Sequence, residues 1–477
     1  MSETFYWHDY ETWGTAPALD RPSQFAGVRT DADLNIIGEP LVQFCRPTPD
    51  YLPNPEACLV TGITPQQALE EGLSEAEFVA NIHAELAQPG TCTVGYNSIR
   101  FDDEVTRYAL YRNFYDPYAR EWQNGNSRWD LIDVVRLCYA LRPEGIEWPR
   151  REDGSPSFRL EELTAANGLS HESAHDALSD VLATIDLARL IKTAQPKLYD
   201  YALSLRNKRT VSAMLDTDTQ VPVVHVSGRI SAARGCTALM MPLAPHPVNR
   251  NSVIVYDLSV DPQPLIELGV EEVARRLFSS SAELGEGVER IPLKEIHLNR
   301  APIVATPKLL DDASAERLQI DLDVCRRHWQ QLRHAQGLKE KLQQLYQQRE
   351  FEENPDVDTQ LYGGFFGDSD KRAMDRIRSL SPEALASESF QFSDARLGEL
   401  LWRYRGRNFP QSLSAQERQR WFAFCKQRLR QPGKGLLGFD AFRQRLSELA
   451  EGELDDFQQH ILQELNDYAD ALEQEGL

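Results

Sequence analysis

The sequence of 477 residues predicts three consecutive parts, namely a mixed α/β domain, a small β-barrel and an all-α C-terminal domain. Residues 1–195 alternate β-branched and aromatic runs with amphipathic helical stretches, which is typical of a mixed sheet flanked by helices. Residues 196–350 are richer in short β-like runs separated by Pro and Gly. In residues 351–477 the Gly and Pro give way to long helical patterns. We therefore expect domain boundaries near residues 195 and 350.

The first part contains three strand candidates in succession, a fourth further on, and helix candidates between and after them. The strands are predicted in "TFYWHDYE", "SQFAGVRTD", "PLVQFCRP" and "TCTVGYN". The helices are predicted in "SEAEFVANIHAELAQ", "FDDEVTRYALYRNF", "WDLIDVVRLCYALR" and "HDALSDVLATIDLARLIKT". In the second part we expect strands in "VPVVHVSG", "TALMMPLAP", "NSVIVYDL" and "RAPIVAT", with "ERLQIDLDVCRRHWQQLR" as a closing helix.

Composition excludes several classes of protein. Hydrophobic residues make up 41% and charged residues 26%, as in ordinary soluble globular proteins. No secretory signal is visible, and no apolar run reaches the ~18 residues that a membrane-spanning helix needs. The seven cysteines are scattered and form no Cys-x-x-Cys pair, which argues against a disulfide framework or a zinc knuckle. We therefore expect a cytoplasmic protein.

The net charge of −22 argues at first against a nucleic-acid partner. The charge is unevenly distributed, however, because residues 451–477 contain nine acids and no Lys or Arg. The segments "LWRYRGRNFP" and "RQRWFAFCKQRLRQPGK" interleave basic and aromatic residues instead. The overall charge therefore does not exclude a local basic groove.

Two acids one residue apart follow the aromatic run "FYW". Asp9 and Glu11 would project from the same face of a strand, about 7 Å apart, and would repel each other unless a cation lay between them. A solvated strand edge is the alternative. Asp102 opens a later helix, where an acid also complements the helix dipole.

A third acidic position lies in "HESAHDALSDVLATIDL". Asp180 interrupts the apolar stripe of this helix, and a buried acid of this kind needs a cationic partner. His175 can approach Asp180 only if it precedes the helix proper, since five residues of regular helix would separate the two side chains by about 140°. Asp176 is then expected to be a cap or first-turn acid of the helix.

Together, Asp9-x-Glu11, Asp102 and His175-x4-Asp180 resemble the motifs of the DEDDh 3′→5′ exonucleases, which have the ribonuclease H-like fold. The segments "YNSIRFDDEVTR", "NSRWDLIDV", "ALRPEGIEWP" and "SFRLEELT" extend the resemblance to the bacterial exonuclease I family. That family also has a small Src-homology-type β-barrel and a helical C-terminal domain, so the resemblance spans essentially the whole chain.

The resemblance implies 3′→5′ degradation of single-stranded DNA to 5′-mononucleotides, in repair and recombination. It assigns Asp9, Glu11, Asp102 and Asp180 as ligands of two Mg²⁺ ions, for which Mn²⁺ can substitute, and such hard oxygen ligands suit these ions. Asp9 would bridge both ions, Glu11 would also contact the terminal nucleotide, and His175 would be the general base.

DNA binding needs aromatic side chains for the bases and cations for the phosphates. Within segments that resemble the family, the candidates are Arg107, Tyr118, Trp122, Arg136 and Arg159, with Arg159 placed near the active site. Further candidates for the entrance are Arg206, Lys208, Arg209, Arg403, Arg405 and Arg407. Ordinary core or surface packing is the alternative for Tyr118 and Trp122, and solvated helix faces are the alternative for the entrance candidates.

The resemblance also implies a monomer that binds the acidic tail of single-strand DNA-binding protein, for which Arg142 and Tyr201 are candidates. Three other functions remain alternatives. An oligoribonuclease or proofreading subunit would typically be a single nuclease domain. A catalytically silent DNA-binding scaffold would have no reason to gather repelling carboxylates. A zinc nuclease would need clustered His or Cys ligands, and the ten histidines are scattered.

Overall fold

The structure, a computed structural model, describes residues 3–170, 176–347 and 354–477. The chain forms two compact units. The first contains residues 3–127, 176–182 and 354–477, and the second contains residues 128–170 and 183–347. In the part of the chain that the structure describes, no helix is both long enough and apolar enough to cross a membrane.

The first unit is built on a mixed sheet in which the strand order is β3-β2-β1-β4. Strand β1 pairs antiparallel with β2 and parallel with β4, and β2 pairs antiparallel with β3. These strands are β1 (Thr4–Thr12), β2 (Pro22–Thr30), β3 (Ile36–Phe44) and β4 (Thr91–Gly95). The helices of this stretch are α1 (Pro55–Thr61), α2 (Pro65–Glu71), α3 (Glu75–Leu86) and α4 (Asp102–Arg112).

Aromatic side chains fix the position of β1 in the core. Tyr6 and Tyr10 of β1 are buried with Phe25 of β2 and Phe78 of α3. The rings of Tyr10 and Phe25 meet edge to face, with centroids 4.8 Å apart. Because these large apolar rings are held inside, the acids that alternate with Tyr10 along β1 are placed on the other face of the strand.

The chain then continues with β5 (Ser127–Asp130), α5 (Leu131–Leu141), α6 (Leu160–Ala166), α7 (Ala177–Ala194), α8 (Pro196–Ser204) and α9 (Lys208–Met214). The predicted strands and helices of residues 1–195 are confirmed, since each one overlaps an observed element. Helix α7 begins in the first unit and continues into the second.

The second unit contains a five-stranded antiparallel sheet in the order β10-β6-β7-β8-β9. Its strands are β6 (Val223–Val226), β7 (Thr237–Pro245), β8 (Ser252–Asp257), β9 (Leu293–His297) and β10 (Ile303–Ala305). Its further helices are α10 (Gln263–Glu267), α11 (Val270–Phe278), α12 (Ser281–Leu284), α13 (Asp312–Arg317), α14 (Leu322–His334) and α15 (Leu338–Gln347). The predicted β-rich second part is confirmed.

The C-terminal part of the first unit is helical, as predicted. Its helices are α16 (Asp368–Ser379), α17 (Pro382–Ser387), α18 (Arg396–Asn408), α19 (Ala415–Arg430), α20 (Phe439–Ala450) and α21 (Asp456–Gln474). Trp402 of α18 and Trp421 of α19 share a core with Trp13, which follows β1. The helices therefore pack on the same stretch of chain that carries the acids of β1.

Candidate functional site

Asp9 and Glu11 lie in the last part of β1, where the strand no longer pairs with β4. The parallel pairing runs from Thr4↔Thr91 to Trp7↔Val94, so Asp9 and Glu11 lie past the last paired residue. On the other side, Asp9 is opposite Ala26 and Glu11 is opposite Gln24 of β2. The two carboxylates therefore lie at the carboxyl end of β1, on the face opposite Tyr6 and Tyr10.

Asp102 reaches the same strand from the first turn of α4. Strand β4 ends at Gly95, and α4 begins at Asp102. The backbone N–H of Tyr10 donates to Oδ1 of Asp102 at 3.1 Å. The hydroxyl of Thr106 donates to the backbone carbonyl of Asp102 at 2.8 Å. The hydrogen bond thus holds the Asp102 carboxylate against β1 at Tyr10, the residue that separates Asp9 from Glu11.

Asp180 is brought to the site by the start of α7. The backbone N–H of Ala177 donates to Oε1 of Gln24 at 3.3 Å, and Gln24 is the β2 residue opposite Glu11. The carboxylate of Asp176 accepts from the N–H of Ser179 at 3.1 Å, so the prediction that Asp176 caps this helix is confirmed. Asp180 then lies in the first turn of α7.

Asp9, Glu11 and Asp180 converge closely. One carboxylate oxygen from each lies within 4.8 Å of the other two. Burial, followed by the charges of Asp102, Glu11 and Asp180, raises the pKa of Asp9 well above its usual range. Burial, followed by the charges of Asp180 and Asp102, raises the pKa of Glu11 to about 9. The predicted convergence of the four acids therefore produces strong mutual repulsion.

The donor set fits a divalent cation. Within the described residues, neither Asp9 nor Glu11 forms an ion pair with a Lys or Arg side chain. Carboxylate oxygens at this spacing are the ligands of hard divalent cations. A bound cation would relieve the repulsion that adds to burial in raising the two pKa values. His175, the predicted general base, lies outside the described residues.

The two acids next to Asp102 have separate partners. Asp103 Oδ1 accepts from Arg120 Nη2 at 2.6 Å, and both side chains are buried. Glu104 Oε1 pairs with Arg107 Nη1 at 2.8 Å. Arg120 lies in the short 3-10 helix Ala119–Glu121 between α4 and β5, and its buried charge was missed because nothing in the local sequence marks Asp103 as its partner.

The predicted DNA-binding residues of the first unit differ in exposure. Arg107 is buried, and its Nε pairs with Glu121 Oε1 at 2.7 Å. Tyr118 is partly buried beneath the Arg107 guanidinium, which lies 5.3 Å from the centre of its ring. Trp122 is 66% exposed. Trp122 is thus free to meet a ligand, whereas the charge of Arg107 is already balanced by carboxylates.

The predicted DNA-binding residues of the second unit, Arg136 and Arg159, each lie near a carboxylate of the same unit. Arg136 pairs with Asp133 at 2.6 Å. Arg159 directly precedes α6, and its largely exposed side chain lies 3.7 Å from Glu162.

The candidates for partner binding, Arg142 and Tyr201, both form hydrogen bonds within the second unit. Arg142 Nη1 donates to the backbone carbonyl of Leu309 at 3.4 Å, and the Tyr201 hydroxyl donates to the backbone carbonyl of Val304 at 2.7 Å. The entrance candidates Lys208 and Arg209 are exposed, and Arg206 Nε donates to the Leu203 carbonyl at 2.8 Å.

The prediction that Arg403, Arg405 and Arg407 line a DNA entrance is wrong. Arg407 Nη2 pairs with Asp50 Oδ2 at 2.8 Å, and both side chains are almost fully buried. Arg403 pairs with Asp358 at 3.0 Å, and Arg405 pairs with Glu417 at 2.7 Å. These carboxylates therefore neutralise the charges of the three arginines inside the first unit, so the arginines are not available to bind a DNA phosphate.

Three family models match successive segments of the chain. Residues 6–188 match the model described as Exonuclease, residues 206–348 match Exonuclease I SH3-like domain, and residues 355–472 match Exonuclease I C-terminal domain. Over 447 residues the chain is 49% identical to exodeoxyribonuclease I of Haemophilus influenzae, which covers 93% of this chain and 94% of that protein.

Solved structures agree with this relationship over nearly the whole chain. The crystal structure of Escherichia coli exonuclease I in complex with a dA16 oligonucleotide has a TM-score of 0.94 and 46% identity, and covers 99% of this chain and 100% of that chain. A crystal structure of SSB/exonuclease I in complex with the inhibitor CFAM has a TM-score of 0.92 and 45% identity, with the same coverage. The chain therefore belongs to the exonuclease I family.

Proposed function

We propose that this protein is a 3′→5′ exonuclease that hydrolyses single-stranded DNA and releases 5′-mononucleotides. The observation that carries the proposal is the convergence of Asp9, Glu11 and Asp180 within 4.8 Å, with Asp102 held beside them by the backbone of β1. The family membership supports the same activity, because the relatives are exodeoxyribonucleases I that cover most of the chain.

The activity depends on divalent metal, as in the exonuclease superfamily. We assign Asp9, Glu11, Asp102 and Asp180 as the residues that would hold two Mg²⁺ ions, with Mn²⁺ as a substitute. When bound, such ions neutralise the negative charge that develops on the phosphate during hydrolysis. The hard oxygen donor set and the raised pKa values of Asp9 and Glu11 support this assignment.

The remaining residues bind the strand and move the proton. His175 takes the proton from the attacking water, whose oxygen becomes bonded to phosphorus. The bond from phosphorus to the 3′ oxygen of the shortened strand breaks, that oxygen gains a proton, and the phosphate leaves on the 5′ carbon of the released nucleotide. Glu11 contacts the terminal nucleotide, and the exposed Arg159 binds a phosphate of the substrate.

The proposal extends to partners and organisation. Single-stranded DNA is the substrate, and the acidic tail of single-strand DNA-binding protein is the protein partner, with Arg142 and Tyr201 as candidate contacts. The complex of SSB with an exonuclease I supports this pairing. We further propose a cytoplasmic monomer with domains at residues 1–195, 196–350 and 351–477. The matched segments 6–188, 206–348 and 355–472 support that division.

The test is an assay on a single-stranded oligodeoxynucleotide labelled at its 5′ end. With Mg²⁺ we expect progressive shortening from the 3′ end and mononucleotide release, and chelator should abolish both. A matched RNA oligomer tests the choice of sugar, and a fully paired duplex tests the choice of single strands. Internal cleavage, or cleavage that persists in chelator, would contradict the proposal.

A further inference from the structure

Gln24 lies on β2 directly opposite Glu11, at the end of β1 that carries the acids. On its other side it pairs with Phe44 of β3, so its backbone is held between two strands. The residue is buried. The register between β1 and β2 shifts directly after this pair, between Glu11 and Thr12. Gln24 therefore belongs to the last regularly paired position next to the acid cluster.

The side chain of Gln24 is on the same face of the sheet as the acids. Residues directly opposite each other in an antiparallel pair project to one face, with their Cβ atoms about 4.5–5.5 Å apart. Gln24 therefore projects beside Glu11, and Ala26, which is opposite Asp9, projects beside Asp9. Ala26 is small and fully buried, so a helix can pack closely over this face. The acid-bearing face thus presents a long, uncharged polar side chain next to Glu11.

Helix α7 begins at this side chain. The backbone N–H of Ala177, the first residue of α7, donates to Gln24 Oε1 at 3.3 Å, and this hydrogen bond is buried. The N–H groups in the first turn of a helix have no acceptor within the helix, so they need one from elsewhere. Asp176 supplies an acceptor for Ser179 through its carboxylate, at 3.1 Å. Gln24 supplies another from β2, for the turn that also contains Asp180.

The position of this turn decides where the Asp180 carboxylate lies. Residues of α7 up to Leu182 belong to the first unit, and the rest of the helix belongs to the second unit. The hydrogen bond to Gln24 ties the turn that carries Asp180 to the sheet that carries Asp9 and Glu11. Oxygens of these three carboxylates lie within 4.8 Å of one another. Because Mg²⁺ requires near-ideal octahedral coordination at about 2.0–2.1 Å, even a small shift of the turn would alter how well the carboxylates fit the ion.

We propose that Gln24 is a positioning residue of the metal centre, which holds the first turn of α7 against β2 so that Asp180 meets Asp9 and Glu11 at the spacing a divalent cation needs. Groups that orient metal ligands contribute to affinity without touching the metal. An amide suits this place, because it provides the acceptor without adding a further negative charge to carboxylates that already repel one another. This inference rests on the proposed exonuclease function and adds to it a residue that acts through Asp180.

The experiment measures Mn²⁺ binding to the full chain by isothermal titration calorimetry, without DNA. Gln24→Leu keeps a side chain of similar size but removes the acceptor, so the apparent Kd for Mn²⁺ should rise by about 10- to 100-fold. In a parallel nuclease assay, the Mg²⁺ concentration for half-maximal rate should rise by a similar factor. The KM for a single-stranded oligodeoxynucleotide at saturating Mg²⁺ should stay nearly unchanged, because Gln24 acts through Asp180 and not on the strand.

Gln43→Leu is the matched control. Gln43 is also a buried glutamine of this sheet, and its Nε2 donates to the backbone carbonyl of Phe78 at 2.8 Å. It is opposite Phe25, on the face of the aromatic core, so its loss should lower Tm without changing the Kd for Mn²⁺. Ala177→Pro tests the same hydrogen bond from the other side, because proline lacks the N–H but is well tolerated at the first residue of a helix.

Ala177→Pro should weaken Mn²⁺ binding about as much as Gln24→Leu, and the double variant should bind no more weakly than either single variant, since both remove one bond. Additive losses in the double variant would overturn the role of Gln24, as would a wild-type Kd in Gln24→Leu or an equal rise in Gln43→Leu. If Gln24→Leu does not fold, the Kd of Ala177→Pro decides alone. The failure of the proposed function looks different, since the wild-type protein would then release no nucleotide even where it binds Mn²⁺.

Discussion

The carboxylate of Asp102 accepts a hydrogen bond from the backbone N–H of Tyr10 at 3.1 Å. This bond joins the first turn of α4 to β1, at the point where β1 has passed the end of its pairing with β4. Asp102 thus satisfies a buried donor that the sheet leaves open, and at the same time adds negative charge beside Asp9 and Glu11. It serves both the fold and the proposed metal centre.

Two substitutions of Asp102 should separate these roles. Asp102→Asn keeps an oxygen that can accept from Tyr10 but removes the charge, so it should lose activity by about 10²-fold or more while keeping its stability. Asp102→Ala should lose activity equally and also cost about 1–3 kcal/mol in unfolding free energy, because the N–H of Tyr10 loses its acceptor. Steady-state rates and urea unfolding measure the two effects. Equal stability of both variants would contradict the structural role.

Divalent cations should stabilise the folded protein. A cation that binds only the native state at about 100 times its Kd adds about 2.7 kcal/mol, which thermal unfolding detects as a rise in Tm. Asp9→Asn should show little or no rise with Mg²⁺. In chelator, this variant should be at least as stable as the wild type, because one of the repelling charges has been removed. An unchanged Mg²⁺ response in Asp9→Asn would argue against the assigned ligands.

His175 should affect the chemical step and not binding. His175→Ala should keep its affinity for single-stranded DNA while hydrolysis slows by about 10²–10⁴-fold. The exposed His334 offers a matched control in His334→Ala. Near-normal turnover of His175→Ala would show that His175 is not the general base.

A buried network of arginines and aspartates should make stability depend on acid pH. Burial opposes ionisation of Asp50, but the guanidinium groups of Arg407, Arg21 and Arg428 hold its pKa below the usual range. An acid whose pKa is lowered by folding stabilises the protein above its unfolded pKa of about 3.9, and that stability is lost as the pH falls further. Tm should therefore drop steeply below about pH 4.

Asp50→Asn tests this network at neutral pH. It leaves Arg407 with one buried partner fewer, so we expect a loss of about 3–5 kcal/mol in unfolding free energy and a shallower dependence on acid pH. Glu272→Gln is the control, since Glu272 pairs with Arg275 on the surface and its loss should change stability much less. If both variants lost the same unfolding free energy, the buried ion pair of Asp50 would contribute no more to stability than a surface ion pair.

The sequence allowed the acid cluster to be predicted because its physical signals are local. Asp9 and Glu11 break a run of aromatic residues, and Asp180 breaks an apolar helical stripe, so each was visible without knowledge of the fold. The resemblance to a nuclease family then predicted that they converge. Gln24, which ties α7 to β2 opposite Glu11, was missed because it is an ordinary polar residue of a strand.

The basic residues were harder to interpret, since their roles depend on distant partners. The arginines of "WRYRGRNFP" have the spacing of a cationic track, but Arg403 and Arg407 pair with Asp50 or Asp358, which lie far away in the sequence. Local pattern cannot show such pairing. The 86% exposure of the Phe365 side chain could not be predicted either, because the segment "GGFFG" is as compatible with a core as with a surface.

The central claim is that the acids of β1, α4 and α7 together hold divalent cations. The most direct measurement is anomalous X-ray diffraction from crystals soaked in Mn²⁺. We expect an anomalous peak within coordination distance of Asp9, Glu11 and Asp180, and its absence in crystals of Asp9→Asn. No peak among these carboxylates, or carboxylates that point away from one another, would contradict the account.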